Sequence, residues 1–118
     1  MDGEDAEGGG GLPSIIAGTG TASEIFNYDE SGNSSTTRAA GKYSHAEGNN
    51  TSAAGNYSHA EGSNTAANAQ YSHAEGFTTQ ATKFAAHSEG YYTTAAGNYS
   101  HAEGLGVTAN GKSQHVQG

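Results

Sequence analysis

Six histidines, His45, His59, His73, His87, His101 and His115, stand 14 residues apart, and the chain has no others. Two residues after each comes a carboxylate, Glu47, Glu61, Glu75, Glu89 and Glu103, with Gln117 in the sixth place. His and Glu together can act as general base and acid, or as nitrogen and oxygen ligands of a transition metal. Catalysis asks for unlike groups converging in one cleft, with surroundings that separate their pKa values. Near-identical copies at a fixed interval predict a ladder instead. There is no cysteine, no Gly-x-Ser-x-Gly and no phosphate-binding loop, so no enzyme is expected. His-x-Glu is a weak metal signature, and no Asp follows Asp29 to supply a calcium-binding β-roll repeat. Buried polar groups are normally satisfied by protein or water, so a structural hydrogen-bonded ladder is expected ahead of a metal stack, with no cofactor and no resident metal.

A shared face also predicts that stability varies across the histidine titration range, the histidines taking up protons on assembly. Burial and Glu pairing push a histidine pKa in opposite directions, so the sign of the pH dependence stays open at this level.

The elements that must carry these residues follow from the period. A glycine closes the motif at Gly48, Gly62, Gly76, Gly90, Gly104 and Gly118. Half a period away runs a weaker Thr-x-Ala-x-Gly, clearest at Thr51, Ala53 and Gly55 and at Thr93, Ala95 and Gly97. A period of 14 is too short for a helical hairpin, because one useful helix takes about 11 or 12 residues. It suits two strands of about five residues with Gly-rich corners, one coil of a parallel β-solenoid whose coils stack roughly 4.8 Å apart. Alternation puts Tyr43, His45 and Glu47 on one face of the first strand and Ser44, Ala46 and Gly48 on the other. Both faces barely change from coil to coil. In the second strand only Thr and Ala recur, which puts the Thr column inside and water on the alternate face.

Leu, Ile, Val and Phe together number ten of 118 residues, too few for an ordinary core. So thin a coil gains from association, and a first strand restrained on both faces asks for a second partner, most simply another copy of the chain. Residues 1–30 carry seven acids and no Lys or Arg, while the rest is near neutral, which excludes a basic footprint for nucleic acid. No apolar run reaches the roughly 20 residues of a membrane span, so no membrane insertion is expected. Residues 1–13 read as an acidic Gly-rich linker. Residues 14–36, with Ile15, Ile16, Ile25 and Phe26, read as degenerate first coils or a cap, with Ser14–Gly18 as one such coil. Residues 37–118 read as the repeat itself, expected to continue beyond the last glycine.

The frame Asn56-Tyr57-Ser58-His59-Ala60-Glu61-Gly62-x-x-Thr65-x-Ala67 resembles the YadA-type head repeat of trimeric autotransporter adhesins, Asn-Ser-Val-Ala-Ile-Gly-x-x-Ser-x-Ala-x-Gly, over Thr37–Gly118. The Ser-His-Ala-Glu-Gly spelling, ending in Gln114-His115-Val116-Gln117-Gly118, is similar to repeats in phage and prophage tail-fibre and receptor-binding proteins. The resemblance implies an all-β, left-handed parallel β-roll assembled as a homotrimer. It also implies an extracellular place, on a virion tail or a bacterial surface, and a host glycan or protein as partner. The alternatives are an adhesin head binding host matrix and a His/Glu metal array. In the adhesin repeat Val and Ile point into the roll, so the resemblance implies that each coil here buries a His–Glu pair, each Glu needing a donor from a His of its own or an adjacent coil.

Candidate attachment residues are Phe77, Tyr91 and Leu105, which follow Asn49 and Ser63 at one lattice position after the glycine, together with Tyr92; Phe84 is a further large corner residue. This apolar edge packs against a neighbouring subunit or forms a strip that touches a receptor.

Overall fold

A computed structural model describes residues 16–21, 24–26 and 37–118. The linker assigned to residues 1–13, and much of the 14–36 cap, lie outside the described residues. From Thr37 onward each 14-residue period winds once, as a long strand, a corner, a short strand and a second corner. The long strands are His45–Asn49, His59–Ser63, His73–Phe77, His87–Tyr91 and His101–Leu105, followed by His115–Gln117. The short ones, Arg38–Ala39, Ser52–Ala53, Ala66–Ala67, Gln80–Ala81, Thr94–Ala95 and Thr108–Ala109, have only two residues each, not the five expected of a second strand. Two sheets result, eight-stranded and six-stranded. Pairing is parallel and in register by one full period: His45 lies opposite His59, Glu47 opposite Glu61, Ala53 opposite Ala67. The β-solenoid with 14-residue coils is therefore the fold.

Register explains the corners. A conformation that suits one coil must suit every coil, so left-handed residues stack in columns: Tyr43, Tyr57, Tyr71, Ala85, Tyr99 and Ser113 at one corner, Asn50, Asn64, Thr78 and Tyr92 at the other, all with φ between 54° and 61°. None of these ten is glycine; the glycines expected at the corners, Gly41, Gly55, Gly97 and Gly111, stand two residues before the left-handed position at the first of them. Each non-glycine costs roughly 1–2 kcal/mol of local strain, offset by the ladder it permits. Glycine is indispensable in one column. Gly48, Gly62, Gly76, Gly90 and Gly104 have φ of 111–118°, and a Cβ on any of them would collide with the carbonyl oxygen of the glycine one coil on.

The interior is made of small side chains. Among the described residues every buried apolar one is alanine: Ala39, Ala53, Ala67, Ala81, Ala95 and Ala109 from the short strands, and Ala46, Ala60, Ala74, Ala86 and Ala102 from the long-strand side. Thr51, Thr65, Thr79 and Thr93 are buried beside them, as the recurrence of Thr predicts. Ser44, Ser58, Ser72 and Ser100 complete the lining, each donating its hydroxyl at 2.6 Å to the carbonyl three residues back and so pinning the corner that precedes the long strand. The two walls nearly touch: the Ser88 and Thr93 hydroxyls, one on each side of the lumen, are 2.7 Å apart.

The starting end departs from the period. Glu24–Phe26 pairs in parallel with the next long strand, Glu24 opposite His45, at a step longer than one period. Ile16–Ala17 then pairs antiparallel with Glu24–Phe26. Of Ser14–Gly18, read as a degenerate coil, Ser14 and Ile15 lie outside the described residues, and Ile16–Ala17 pairs antiparallel rather than in parallel. The described part is half of a hairpin that covers an otherwise open parallel edge, the arrangement that keeps a sheet from recruiting strangers.

The His and Glu ladder as candidate functional site

Alternation along the long strand leaves His, Glu and the strand's last residue on one face. With the intervening Ala or Ser wholly buried, that face is the outer one. The carry-over from the adhesin repeat, His and Glu pointing into the roll, is corrected here: the half-exposed pairs line the outside, because a lumen one hydrogen bond wide admits Ala, Ser and Thr but not imidazole. Tyr43 and its equivalents do not share the face as strand residues either. They sit at the left-handed corner before it, about half exposed.

On the outer face the imidazoles form a continuous stack. Ring centroids of consecutive histidines lie 4.5–4.9 Å apart, with planes within 5° of parallel from His59 to His115. The first pair differs: His45 meets His59 edge-on at 61°. From His45 to His101 each Nε2 approaches the Glu Oε1 of its own coil, from 2.7 Å at His45–Glu47 to 3.3 Å at His101–Glu103. Later coils also reach back, His101 to Glu89 at 3.5 Å and His115 to Glu103 at 3.1 Å. The expected His–Glu ladder is present, but its hydrogen bonding is uneven. His45–Glu47 and His115–Glu103 have hydrogen-bond geometry. The Nε2 atoms of His59, His73, His87 and His101 are shielded from solvent and have no aligned partner despite their short separations, the carboxylate oxygens lying off the ring N–H direction.

The electrostatics settle a sign that sequence left open. Burial lowers the His59 imidazole below its ordinary 6.5, the neighbouring His73 pushes the same way, and Glu61 only partly opposes them. His87 is lowered in the same way, first by burial and then by His73 and His101 on either side. At these two positions folding releases protons, the reverse of the expected uptake, because a histidine stacked between histidines is desolvated and repelled by the same neighbours.

Phe77, Tyr91 and Leu105 end their strands, so they share the outer face with His and Glu. Phe77 stacks on Tyr91 at 5.1 Å, and Tyr92, at the following corner, meets both edge-on. The opposite margin carries an aromatic column that the sequence reading did not single out. Tyr43, Tyr57 and Tyr71 stack 5.1–5.5 Å apart, and Phe84 continues edge-on between Tyr71 and Tyr99. The 14-residue recurrence of Tyr was the available signal. It was absorbed into a strand because a left-handed tyrosine is not anticipated from residue type.

The described residues form no pocket. Comparison with protein-family models, with curated proteins and with solved structures gives no match.

Proposed function

We propose that this chain is a non-catalytic segment of a homotrimeric surface fibre, a phage tail fibre or receptor-binding protein, serving as a rigid spacer with an attachment surface. The observation that carries this reading is an inversion of the usual apolar distribution. Among the described residues the interior holds only small side chains, Ala with Ser and Thr, while Tyr43, Tyr57, Tyr71, Phe77, Phe84, Tyr91, Tyr92, Tyr99 and Leu105 are all exposed. Side chains that could contribute most by burial, about 1.5–3 kcal/mol each for the larger ones when fully buried, are left about half exposed by the folding of a lone protomer. Phe77, Tyr91 and Leu105 sit in line with the half-buried His–Glu columns on one face, and three copies turning this face to a common axis would cover it. The 14-residue frame resembling the trimeric adhesin repeat supports the same count.

The Ser-His-Ala-Glu-Gly spelling favours a phage fibre over a bacterial adhesin head. The sequence that follows this segment in its gene discriminates between them: a tail-assembly or chaperone domain supports the first, a membrane-anchoring β-barrel the second. With the long-strand face turned inward, attachment falls to the corners, Tyr92 and the Tyr57–Tyr71 column, whose exposed rings suit a host glycan or protein. Light scattering on the purified chain tests the assembly. A mass about three times 11.9 kDa is expected. A stable, fully folded monomer overturns the reading.

A further inference from the structure

Five groups of three ligating side chains recur along the ladder: His45, Glu47 and His59; His59, Glu61 and His73; His73, Glu75 and His87; His87, Glu89 and His101; His101, Glu103 and His115. Within each group one ligand atom per residue lies within 4.8 Å of the others. Two imidazole nitrogens and one carboxylate oxygen are a donor set for Zn2+ and its neighbours, with a fourth position left for water. Four Nε2 atoms at the heart of these groups are shielded from water and lack an aligned hydrogen-bond partner. Protein polar groups so placed are normally satisfied, and a cation is one way to satisfy them.

We propose that the ladder binds divalent transition-metal ions of the zinc class in alternate gaps, three per chain, through His45, His59 and Glu47; His73, His87 and Glu75; and His101, His115 and Glu103. Alternation follows from coordination geometry. Each ring offers one Nε2 lone pair to the ladder, so six histidines can serve at most three ions that take two each. A Zn–N bond is about 2.0–2.1 Å, which puts the two nitrogens of a tetrahedral site about 3.3 Å apart. Rings now 4.5–4.9 Å apart must tilt together in pairs, and a ring drawn toward one neighbour leaves the other. The first pair is already out of the parallel stack, His45 standing at 61° to His59, which starts the pairing at His45. All ligands of each site come from one chain, so the inference stands apart from the trimer: its failure leaves the mass measurement untouched, and the reverse.

The test is titration of the chelator-stripped full chain with Zn2+ at neutral pH, read by calorimetry and by metal content after dialysis, with Co2+ as a spectroscopic probe. Uptake is expected to saturate at three ions per chain, with the visible absorption of four-coordinate Co2+ carrying nitrogen ligands. The double variant His73→Gln and His87→Gln should bind two, with its metal-free fold and solution mass checked by circular dichroism and light scattering. Any other stoichiometry in the parent overturns the proposal, and so does unchanged uptake by a folded double variant. If that variant does not fold, Glu75→Gln replaces it: the expected result is weakening at one of three sites, and three equal sites overturn the proposal.

Discussion

Along the long strands the outward side chains read His, Glu and then Asn49, Ser63, Phe77, Tyr91 or Leu105. Along the short strands the outward column reads Arg38, Ser52, Ala66, Gln80, Thr94 and Thr108. Both strand types present repeated small residues to the same lumen, so the need to fill the interior bears on them equally. The short-strand outside varies as a solvated surface does, whereas the long-strand outside keeps His and Glu through every full coil. Nothing in the packing of one protomer requires that. The difference teaches that the packing of one protomer accounts for the inward columns and leaves the His–Glu face to be explained by the assembly or the metal binding proposed above.

The comparison can be broken most forcefully from inside. Gly76→Ala puts a Cβ into the Gly90 carbonyl oxygen at φ 114°, a position where the next coil cannot move aside without losing register. It is expected to cost about 3 kcal/mol and lower the thermal midpoint markedly, as followed by circular dichroism.

On the outside the two sheets should part company. Phe77→Ser with Tyr91→Ser is expected to shift the proposed trimer toward monomer in light scattering. Gln80→Ser with Thr94→Ser, on the short-strand face, should leave the mass unchanged. Equal effects from the two pairs would remove the distinction between the faces.

Within the interior the prediction is finer. The Thr93 hydroxyl bonds Ser88 and the Glu89 carbonyl, whereas the Thr79 hydroxyl is buried without a partner. Thr93→Val should therefore cost about 1 kcal/mol and Thr79→Val about nothing, since only the first leaves a buried polar group newly unpaired. Chemical denaturation with matched m-values distinguishes them.

The smallest effect is that of pH on chelator-treated protein. His59 and His87 have folded pKa values below the ordinary 6.5, so the unfolded chain binds more protons. Their contribution is fully present above that value and is lost as pH falls through 6.5 toward the lowered folded values. Thermal midpoints should fall on acidification across this window. A midpoint that rises instead would mean that pairing with Glu outweighs burial.

Much of this was legible from spacing. The interval between His45 and His59 gave the coil, the recurrence of Thr51, Thr65 and Thr79 placed them inside, and the two-residue step from His to Glu put both on one face. The site was legible as a ladder but not as to which side of the wall it occupied, since Ser44-x-Ala46 and His45-x-Glu47 recur equally well. The Tyr43–Tyr57–Tyr71 column was hidden because its backbone turns left-handed just before the strand, which alternation cannot reveal.

What the sequence by itself determined is periodic: the length of the coil, its parallel register and the membership of each column, because a stacked ladder must satisfy every rung with the same geometry. What only the tertiary structure decided is inside against outside, and the sign of the histidine shifts. Those depend on how closely the two walls approach, which in the coil of Ser88 and Thr93 brings their hydroxyls to hydrogen-bonding distance.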